Sequence, residues 1–503
     1  MNIGFPFKLS IIVFIFLISI FKINAQENLL ESTINKAREL RDKGDFEKAA
    51  ETLIEFNNKY PDNVWVMRLY AETLYWMEEY EQAGVVYNRA YMLYPNDYDV
   101  IYEYSLMLYS WGKYNDCIKM LEKYTAKYDN VTEAYTMLGI SQYYIGNYSS
   151  AQRNLRAAIK LNPDDNHTNA IYTEVLRIIK PWLKIGTTYS TDSQPFNTLF
   201  PVLAAGKYFT PLLNISIAAG YQQFSSDTLN ENFRYLKLKN NFTLKKIGLN
   251  ANMYAGYYST SSSQKSNLIW GIALKQRLAK TLYLDLSTKK DPYVYTPFSA
   301  LESFTTQLSS ISIERYKSAK WNLKAAYINE IFPDDNYTQT AYLWFLSSAM
   351  KLSIFEFYAG YAFSYSDSKE SRFMPLYSSN DEENSNNSIP GTYNPYFTPN
   401  QQYTNSVLVN LLIKPSNNVH IKVHSSIGFY STALNPYLYY DYNNNGNLIV
   451  KRDFYKETFT PMDIGLDFET SISRNLILKF SYSYIQTLYF NTNNFNINLK
   501  VYI

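Results

Sequence analysis

A fixed spacing of 34 residues runs through the first third of the chain and constrains its fold more than any other feature. The segments GDFEKAA, EEYEQAG, GKYNDCI and GNYSSAQ follow one another at this spacing. The residues that recur in register are Gly44, Glu78, Gly112 and Gly146; Ala49, Ala83, Cys117 and Ala151; and Pro61, Pro95, Asp129 and Pro163. Repeats of roughly 20–50 residues form solenoids, because each unit buries its apolar face only against its neighbours.

Each unit of the repeat has the composition of two paired helices. Small residues at fixed positions allow the helices to approach closely, glycine between them adopts dihedrals that other residues resist, and proline ends the second helix. The pattern resembles the tetratricopeptide repeat, with about four repeats between residues 30 and 163. Residues 164–180 fit a capping helix, so we expect an α-solenoid at residues 26–180.

Aromatic side chains are expected along the inward face of these repeats. In the tetratricopeptide repeat the first helix of each unit lines the concave surface, and the register places Arg41 and three tyrosines at one equivalent position. The candidate residues for binding a partner or a polymer are Trp65, Tyr75, Trp76, Tyr102, Tyr109, Tyr143 and Tyr144. The alternative is ordinary packing between helices, which patterned aromatic residues commonly provide.

After Pro181 the apolar residues recur every second position, which predicts strands. In residues 418–430, Val419 and Ile421 share one face, whereas His420, Lys422 and His424 share the other. The same alternation continues to the last residue of the chain. Strands of about ten residues with one apolar face are typical of outer-membrane barrels. We therefore predict a multidomain α + β protein, whose residues 181–503 form an antiparallel transmembrane barrel of about sixteen strands.

The predicted connections between strands alternate between short and long, which distinguishes this barrel from a soluble sandwich. Short connections include FTPLL, RLAKT and SISRN, whereas long ones cover residues 289–303, 329–339, 367–402 and 431–458. Outer-membrane barrels have short periplasmic turns and longer external loops. An even strand number leaves both barrel ends on the periplasmic side, so we expect the repeats in the periplasm.

A barrel of about sixteen strands is wide enough to enclose an aqueous channel. The polar side chains expected in its lumen include His420, Lys422, His424 and Lys479, together with Glu469 and Lys500. Because both signs of charge occur among them, the composition favours a neutral or weakly charged solute.

The first 25 residues predict a secretory signal peptide. Lys8 precedes an apolar run at residues 9–21, and Ala25 supplies a small residue before a cleavage site at Gln26. This predicts export to the Gram-negative envelope, with the barrel in the outer membrane.

Composition excludes several classes of function. Lys and Arg number 47 against 45 for Asp and Glu, so no basic surface for nucleic acid is expected. Cys117 is the sole cysteine, which excludes an intramolecular disulfide. The three histidines fit no metal spacing and no G-x-S-x-G motif occurs. We therefore expect no metal, no cofactor and no enzymatic activity.

A short motif adds a family resemblance. The segment YFTPNQQY, with Tyr396, Phe397, Thr398, Pro399 and Tyr403, is similar to the aromatic–aromatic–Ser–Pro–x–x–Tyr segment of the cellulose-export barrel. With repeats followed by a barrel, the chain resembles the outer-membrane secretion subunits for cellulose and poly-N-acetylglucosamine. YaiO-type repeat-barrel proteins share the same outline.

The resemblance implies a function and a set of partners. The leading expectation is a passive pore for a secreted exopolysaccharide, which an inner-membrane synthase would push through the barrel. The implied partners are outer-membrane lipid, periplasmic or inner-membrane envelope proteins bound by the repeats, and polysaccharide. The alternative is a scaffold or porin that assembles envelope complexes without moving a polymer, and a barrel enzyme is a third, weaker possibility. The motif itself is expected at the end of the longest external loop, either as an interfacial anchor or at the pore exit.

Overall fold

The structure is a computed structural model that describes residues 27–503 except 228, 246, 262–265, 317–319, 377–387 and 417. The predicted signal peptide, residues 1–25, lies outside the described residues. The described chain falls into two compact units that divide between Leu176 and Arg177.

The first unit is a run of helices with the predicted repeat. Its helices are α1 (27–42), α2 (Phe46–Lys59), α3 (Val64–Trp76), α4 (Tyr80–Leu93), α5 (Tyr98–Trp111), α6 (Tyr114–Thr125), α7 (Thr132–Ile145), α8 (Tyr148–Leu161) and α9 (Asn166–Ile179). Helices α3 and α4, α5 and α6, and α7 and α8 pack as pairs. The predicted helix pairs and the capping helix, α9, are confirmed. Among the helices of the described residues, none is both long and apolar enough to cross a membrane.

The turn inside each repeat requires a left-handed backbone. Gly44, Gly112 and Gly146 have φ values of +82°, +78° and +86°. Glu78 occupies the equivalent position in the second repeat with φ of +61°. Because a side chain in this region clashes with its own backbone, Glu78 costs the second repeat about 1–2 kcal/mol that glycine avoids elsewhere.

Small residues set the distance between paired helices. Ala49, Ala83, Cys117 and Ala151 are all fully buried between the helices, as the recurring small residues predict. A Cβ atom added at Gly139 on α7 would lie 2.6 Å from Cγ of Leu155 on α8. The close approach of α7 and α8 therefore depends on glycine at this position.

The second unit is one closed sheet of antiparallel strands. They are β1 (Trp182–Asp192), β2 (Asn197–Thr210), β3 (Leu213–Ser225), β4 (Asn230–Leu244), β5 (Leu249–Thr260), β6 (Ser266–Ala279), β7 (Leu282–Pro292), β8 (Thr305–Arg315), β9 (Asn322–Ile331), β10 (Tyr337–Leu346), β11 (Phe355–Ser368), β12 (Gln402–Ser416), β13 (Val419–Tyr442), β14 (Leu448–Phe459 with Met462–Ser473), β15 (Leu476–Gln486) and β16 (Asn491–Tyr502). Each pairs with its sequence neighbours.

The sheet closes because its first and last strands pair. Trp182 of β1 lies opposite Tyr502 of β16, and the ladder continues to Asp192 opposite Thr492. The predicted closed barrel of sixteen antiparallel strands is therefore confirmed. Since the strand number is even, both ends of the sheet lie at one rim, which also carries the short turns such as 211–212 and 474–475.

Alternate residues of the wall differ in polarity, as expected for a membrane barrel. Large apolar side chains such as Ile185, Leu203 and Leu238 are 58%, 51% and 55% exposed on the outer face. Polar residues such as Lys184 take the opposite, lumenal face. An apolar outside and a polar inside are typical of barrels that span an outer membrane.

One predicted long connection is an extended hairpin, and another is shorter than expected. At 431–458 the segments of β13 and β14 pair from Ser431 opposite Phe459 to Tyr442 opposite Leu448, so the connection is paired strand except for its turn. Residues 329–339 shrink to 332–336, because β9 reaches Ile331 and β10 begins at Tyr337. Both places contain residues of high strand propensity, such as Tyr437, Tyr439 and Tyr337, which favour strand pairing over an open loop.

Candidate functional site

The rim opposite the short turns is the candidate site in the barrel, and we call it the mouth. Its longest connection runs from 369 to 401 between β11 and β12, the predicted position of the longest loop. Within it Phe373–Pro375 pairs with Gly391–Tyr393, and Ser388–Ile389 pairs with β13. The second long connection, 293–304, contains a short helix, α10 (Pro297–Glu302), that begins with a capping box on Thr296.

Tyr396 is the centre of a buried aromatic cluster at the mouth. Its side chain is 1% exposed, and its ring stacks on Phe332 with centroids 3.6 Å apart. Tyr293 and Phe304 pack edge-on against the same ring, at 6.1 Å and 6.0 Å. The predicted motif therefore holds three connections of the mouth together through apolar packing, because these four residues come from 293–304, 332–336 and 369–401.

Hydrogen bonds fix the polar end of Tyr396. Its hydroxyl donates to both carboxylate oxygens of Asp334, at 2.8 Å and 2.7 Å, and Arg372 Nε donates to Asp334 Oδ2 at 2.8 Å. Burial, and then the bond to Asp334, raise the pKa of Tyr396 to about 12. Burial opposes ionisation of Asp334, but the bonds from Tyr396 and Arg372 prevail and lower its pKa. Near neutral pH the phenol is therefore the donor and the carboxylate the acceptor.

The next residue, Phe397, packs in a different direction. Its ring stacks on Tyr489 at 4.6 Å and on Phe490 at 5.4 Å, and it meets Tyr393 at 5.5 Å. Tyr489 and Phe490 belong to the connection between β15 and β16. Two consecutive residues of the long loop thus contact different parts of the rim.

The positions of these contacts show that the loop crosses the mouth. The connection β7–β8, which holds Tyr293, and the connection β15–β16, which holds Tyr489, are eight strands apart in a ring of sixteen. They are therefore on opposite sides of a barrel on the order of 30 Å wide. Since Tyr396 and Phe397 contact both, residues of opposite walls meet above the lumen. We call the set Tyr293, Phe332, Asp334, Arg372, Tyr396, Phe397 and Tyr489 the mouth latch.

A second apolar cluster anchors the connection 293–304 on the lumenal side of the wall. Ala300 of α10 is fully buried against Phe224, Phe233 and Tyr258, which belong to β3, β4 and β5. The Tyr258 hydroxyl donates to the Ser303 carbonyl at 2.7 Å. This connection therefore folds inward rather than extending away from the barrel.

The remaining motif residues have other roles. Tyr403 lies within β12, not in the loop, and its ring is 42% exposed beside Tyr365 on the outer face. A tyrosine on the outer wall at the end of a strand suits an interfacial anchor. Thr398 is buried and accepts a hydrogen bond from the Arg372 backbone at 3.0 Å, whereas Pro399 is half-buried beside it.

A cavity of about 830 Å³ adjoins the mouth latch. Rings of Phe397, Tyr393 and Tyr489 line it together with the amides of Gln194 and Asn435. Aromatic faces combined with a few amides and hydroxyls suit a ligand that has both apolar faces and polar edges.

The predicted lumenal residues lie on one inner surface. Ile427 and Val407, which are paired across β13 and β12, are exposed on the outer face, so the alternate polar residues face inward. His420, Lys422 and Lys479 line one cavity of about 380 Å³ with Glu469. Lys479 Nζ contacts Glu469 at 2.5 Å. The fourth candidate, His424, lies outside this cavity, with Nε2 3.7 Å from Asp463.

The predicted tyrosines of the repeats mostly connect neighbouring helices. The Tyr75 hydroxyl lies 3.0 Å from Ser110 Oγ, and the Tyr143 hydroxyl donates to Glu174 at 2.5 Å. Tyr109 packs on Tyr114 at 6.1 Å. These contacts fit the packing alternative for the three equivalent tyrosines.

Other aromatic residues of the set are available to a ligand. Trp65, Trp76 and Tyr144 are 55%, 58% and 47% exposed, whereas Tyr102 is half-buried against Tyr124. A binding surface on the repeats would therefore centre on the exposed rings. Within the described residues, no group of three or more His, Cys, Asp or Glu side chains could hold a metal ion.

The sequence did not identify the partners of the motif. Asp334 and Arg372 contact Tyr396 across 62 and 24 positions of sequence, and nothing in the spacing of residues signals such a pairing. The run FPDDN at 332–336 is the only local indication, because it interrupts a strand pattern with a turn.

The chain was compared with known proteins and structures. Neither a protein-family profile nor a curated protein sequence matches it. Among solved structures it is similar to a bacterial polysaccharide outer membrane secretin, with a TM-score of 0.45 and 9% identity over 65% of this chain and 99% of that chain. It is also similar to MamA from Desulfovibrio magneticus RS-1, with a TM-score of 0.28 and 18% identity over 29% of this chain and 83% of that chain. A tetratricopeptide repeat protein from Parabacteroides merdae ATCC 43184 has a TM-score of 0.28 and 16% identity over 30% of this chain and 60% of that chain.

Proposed function

We propose that this chain is an outer-membrane pore for the secretion of an exopolysaccharide, with the repeats in the periplasm. The observation that carries the proposal is the closed sixteen-stranded barrel whose mouth is crossed by an aromatic latch. Barrels of this size enclose a lumen wide enough for an extended polymer. A latch keeps such a lumen closed to other solutes when no polymer passes.

The chemistry of the mouth supports a saccharide as the transported molecule. A sugar ring has apolar C–H faces and hydroxyl edges, and the cavity beside the latch offers rings of Tyr393 and Phe397 with the amide of Asn435. The lumenal wall is rich in Ser, Thr and Asn, such as Ser481 and Asn496, which exchange hydrogen bonds with hydroxyl groups as water does. A polymer could slide along such a surface without binding tightly at any one position.

The repeats would dock envelope partners that deliver the polymer. Solenoids of this kind offer an extended surface for protein binding. The exposed rings Trp65, Trp76 and Tyr144 are the side chains that best suit such a contact, because aromatic residues dominate the energetics of protein interfaces. No nucleotide site is required here, since the polymer would be pushed by the synthase.

A scaffold or porin without polymer transport is the second candidate function. It is favoured by the use of Tyr75 and Tyr143 in bonds between helices, which removes them from any role in gripping a polymer. In that case the latch would give a barrel that stays closed while the repeats assemble other envelope proteins.

Deletion of the gene distinguishes the two functions. We expect the deletion strain to lose most of one secreted polysaccharide from the medium, because on this proposal the barrel is the route of that polymer across the outer membrane. Complementation with the full chain should restore secretion. The amount of polysaccharide is measured by sugar analysis of the medium, and unchanged secretion in the deletion strain would contradict export.

A further inference from the structure

The rim that carries the short turns, opposite the mouth, contains three lysines that form no ion pair within the part of the chain that the structure describes. Lys184 on β1 lies directly opposite Lys500 on β16, since the two residues are partners in the ladder that closes the barrel. Side chains at such positions have Cβ atoms about 5 Å apart, and like charges there destabilise the sheet. Among the described residues, neither lysine forms an ion pair.

The register brings a third lysine towards this pair. Across the sheet, Lys184 pairs with Ala204, Ala204 with Ala218, and Ala218 with Lys237. In the next row, nearer the rim, Ser216 pairs with Lys239. Lys237 and Lys184 are the positive charges that act on Lys239, and Asp291 partly offsets them. Lys479 and Lys184 act in the same way on Lys500. The small residues between these strands supply neither bulk nor negative charge to separate the lysines. We call Lys184, Lys239 and Lys500 the lysine group.

The nearby carboxylates are already engaged. Asp291 accepts from Lys237 Nζ at 3.1 Å and from the Tyr254 hydroxyl at 2.5 Å. Glu469 is bound by Lys479. The lysine group is therefore a local excess of positive charge in a chain whose 47 Lys and Arg residues nearly balance its 45 Asp and Glu residues.

Aromatic rings lie beside the lysine group. The Lys500 Nζ is 4.4 Å from the centre of the Trp182 ring and 4.8 Å from that of Tyr502. The Trp182 ring lies over Gly206, where an added Cβ would meet it at 2.5 Å. This rim thus combines unpaired ammonium groups with a ring that could stack on a sugar.

We propose that the lysine group binds acidic groups of the transported saccharide, so that the polymer carries carboxylates. Unpaired charge facing like charge costs stability, and ionisable residues kept within a membrane-spanning lumen commonly mark the path of a charged solute. Rings of lysine or arginine select anions in pores. The proposal rests on the export function, and it revises the neutral solute that composition alone favours.

Binding of defined hexasaccharides to the purified full chain in detergent tests this proposal. We expect hexagalacturonate, which carries carboxylates, to bind at least tenfold more tightly than neutral cellohexaose or a cationic chitosan hexamer. Raising the ionic strength to about 0.3 M should weaken this binding, because salt screens the charges. Isothermal titration calorimetry measures each affinity.

Substitutions identify the residues responsible. The triple variant Lys184→Gln, Lys239→Gln and Lys500→Gln should lose at least tenfold in affinity for hexagalacturonate. Its unfolding temperature should be unchanged or higher, since the variant removes like-charge repulsion. A control triple variant, Lys207→Gln, Lys280→Gln and Lys320→Gln, removes the same number of exposed lysines outside the lysine group and should bind as the parent does.

Three results would overturn the proposal: absence of hexagalacturonate binding, equal binding of the neutral hexamer, or full affinity in the lysine-group variant. None of these results depends on secretion by cells. Failure of the export function, in contrast, would appear as unchanged secretion after deletion of the gene.

Discussion

Replacing Tyr396 with alanine is expected to open the mouth of the barrel. The substitution removes a fully buried ring that stacks on Phe332 and two hydrogen bonds to Asp334. Loss of a buried aromatic side chain costs about 3–5 kcal/mol. Because this energy holds loops from three connections together, the closed arrangement should lose on the order of a hundredfold or more in population relative to open ones.

Ion conductance in planar lipid bilayers measures this opening. The parent chain should conduct rarely, whereas Tyr396→Ala should show large and long-lived openings. Tyr396→Phe keeps the stack and loses the bonds to Asp334, so it should be intermediate. Tyr403→Ala is the matched control, because that tyrosine lies on the outer face of β12 and should leave conductance unchanged. Conductance of Tyr396→Ala equal to that of the parent would show that the latch does not close the lumen.

The second large effect is expected in the repeats, where Gly139→Ala should destabilise the packing of α7 on α8. In an isolated helix alanine is more favourable than glycine by about 1 kcal/mol. Here the new Cβ would lie 2.6 Å from Cγ and 3.1 Å from the backbone nitrogen of Leu155. Since backbone cannot yield as a flexible side chain does, α7 and α8 must move apart, at a net cost of about 1–3 kcal/mol.

Urea unfolding followed by helical circular dichroism at 222 nm measures this cost in the full chain. Gly112→Ala serves as a control with a different mechanism, because its added Cβ has no atom within 4 Å and its φ of +78° is the sole penalty. That control should lose about 1 kcal/mol. If Gly139→Ala instead raises the midpoint, helix propensity dominates and the close packing of α7 on α8 is not limiting.

The parts of the fold that sequence predicts correctly are those with a short, regular period. The four repeats follow from residues 34 positions apart, such as Ala83 and Cys117, and their burial is set by local helix pairing. The strand number follows from apolar alternation, because each strand must present one face to lipid. Neither inference requires knowledge of distant contacts.

The parts that sequence misses depend on distant contacts or on the register between strands. The motif YFTPNQQY points to Tyr396, but the partner of this tyrosine, Asp334, is 62 positions away and belongs to a five-residue turn. Lys184 and Lys500 become neighbours only because the barrel closes. Composition alone gives the total numbers of basic and acidic residues. The local excess of positive charge is therefore visible only when the paired strands bring these lysines together.

The hairpin at 431–458 illustrates the same limit in another form. Its length and its polar turn near Asn443 predict a loop, yet β13 and β14 remain paired to its tip. Tyr437, Tyr439 and Tyr440 have high strand propensity, and they carry the strand beyond the wall. Length therefore separates loops from extended hairpins less well than strand propensity does.

The central claim, that a polysaccharide passes through the lumen, can be tested by photo-crosslinking in living cells. A benzophenone amino acid is placed at Ser481, which faces the lumenal cavity, or at Phe495, which is 40% exposed on the outer face of the adjacent strand. The two positions lie at almost the same height of the wall, because Ser481 pairs with Asn496. After irradiation during active secretion, sugar analysis of the purified barrel should detect polymer attached at Ser481 and none at Phe495. Absence of attached polymer at Ser481 while secretion continues would contradict passage through this barrel.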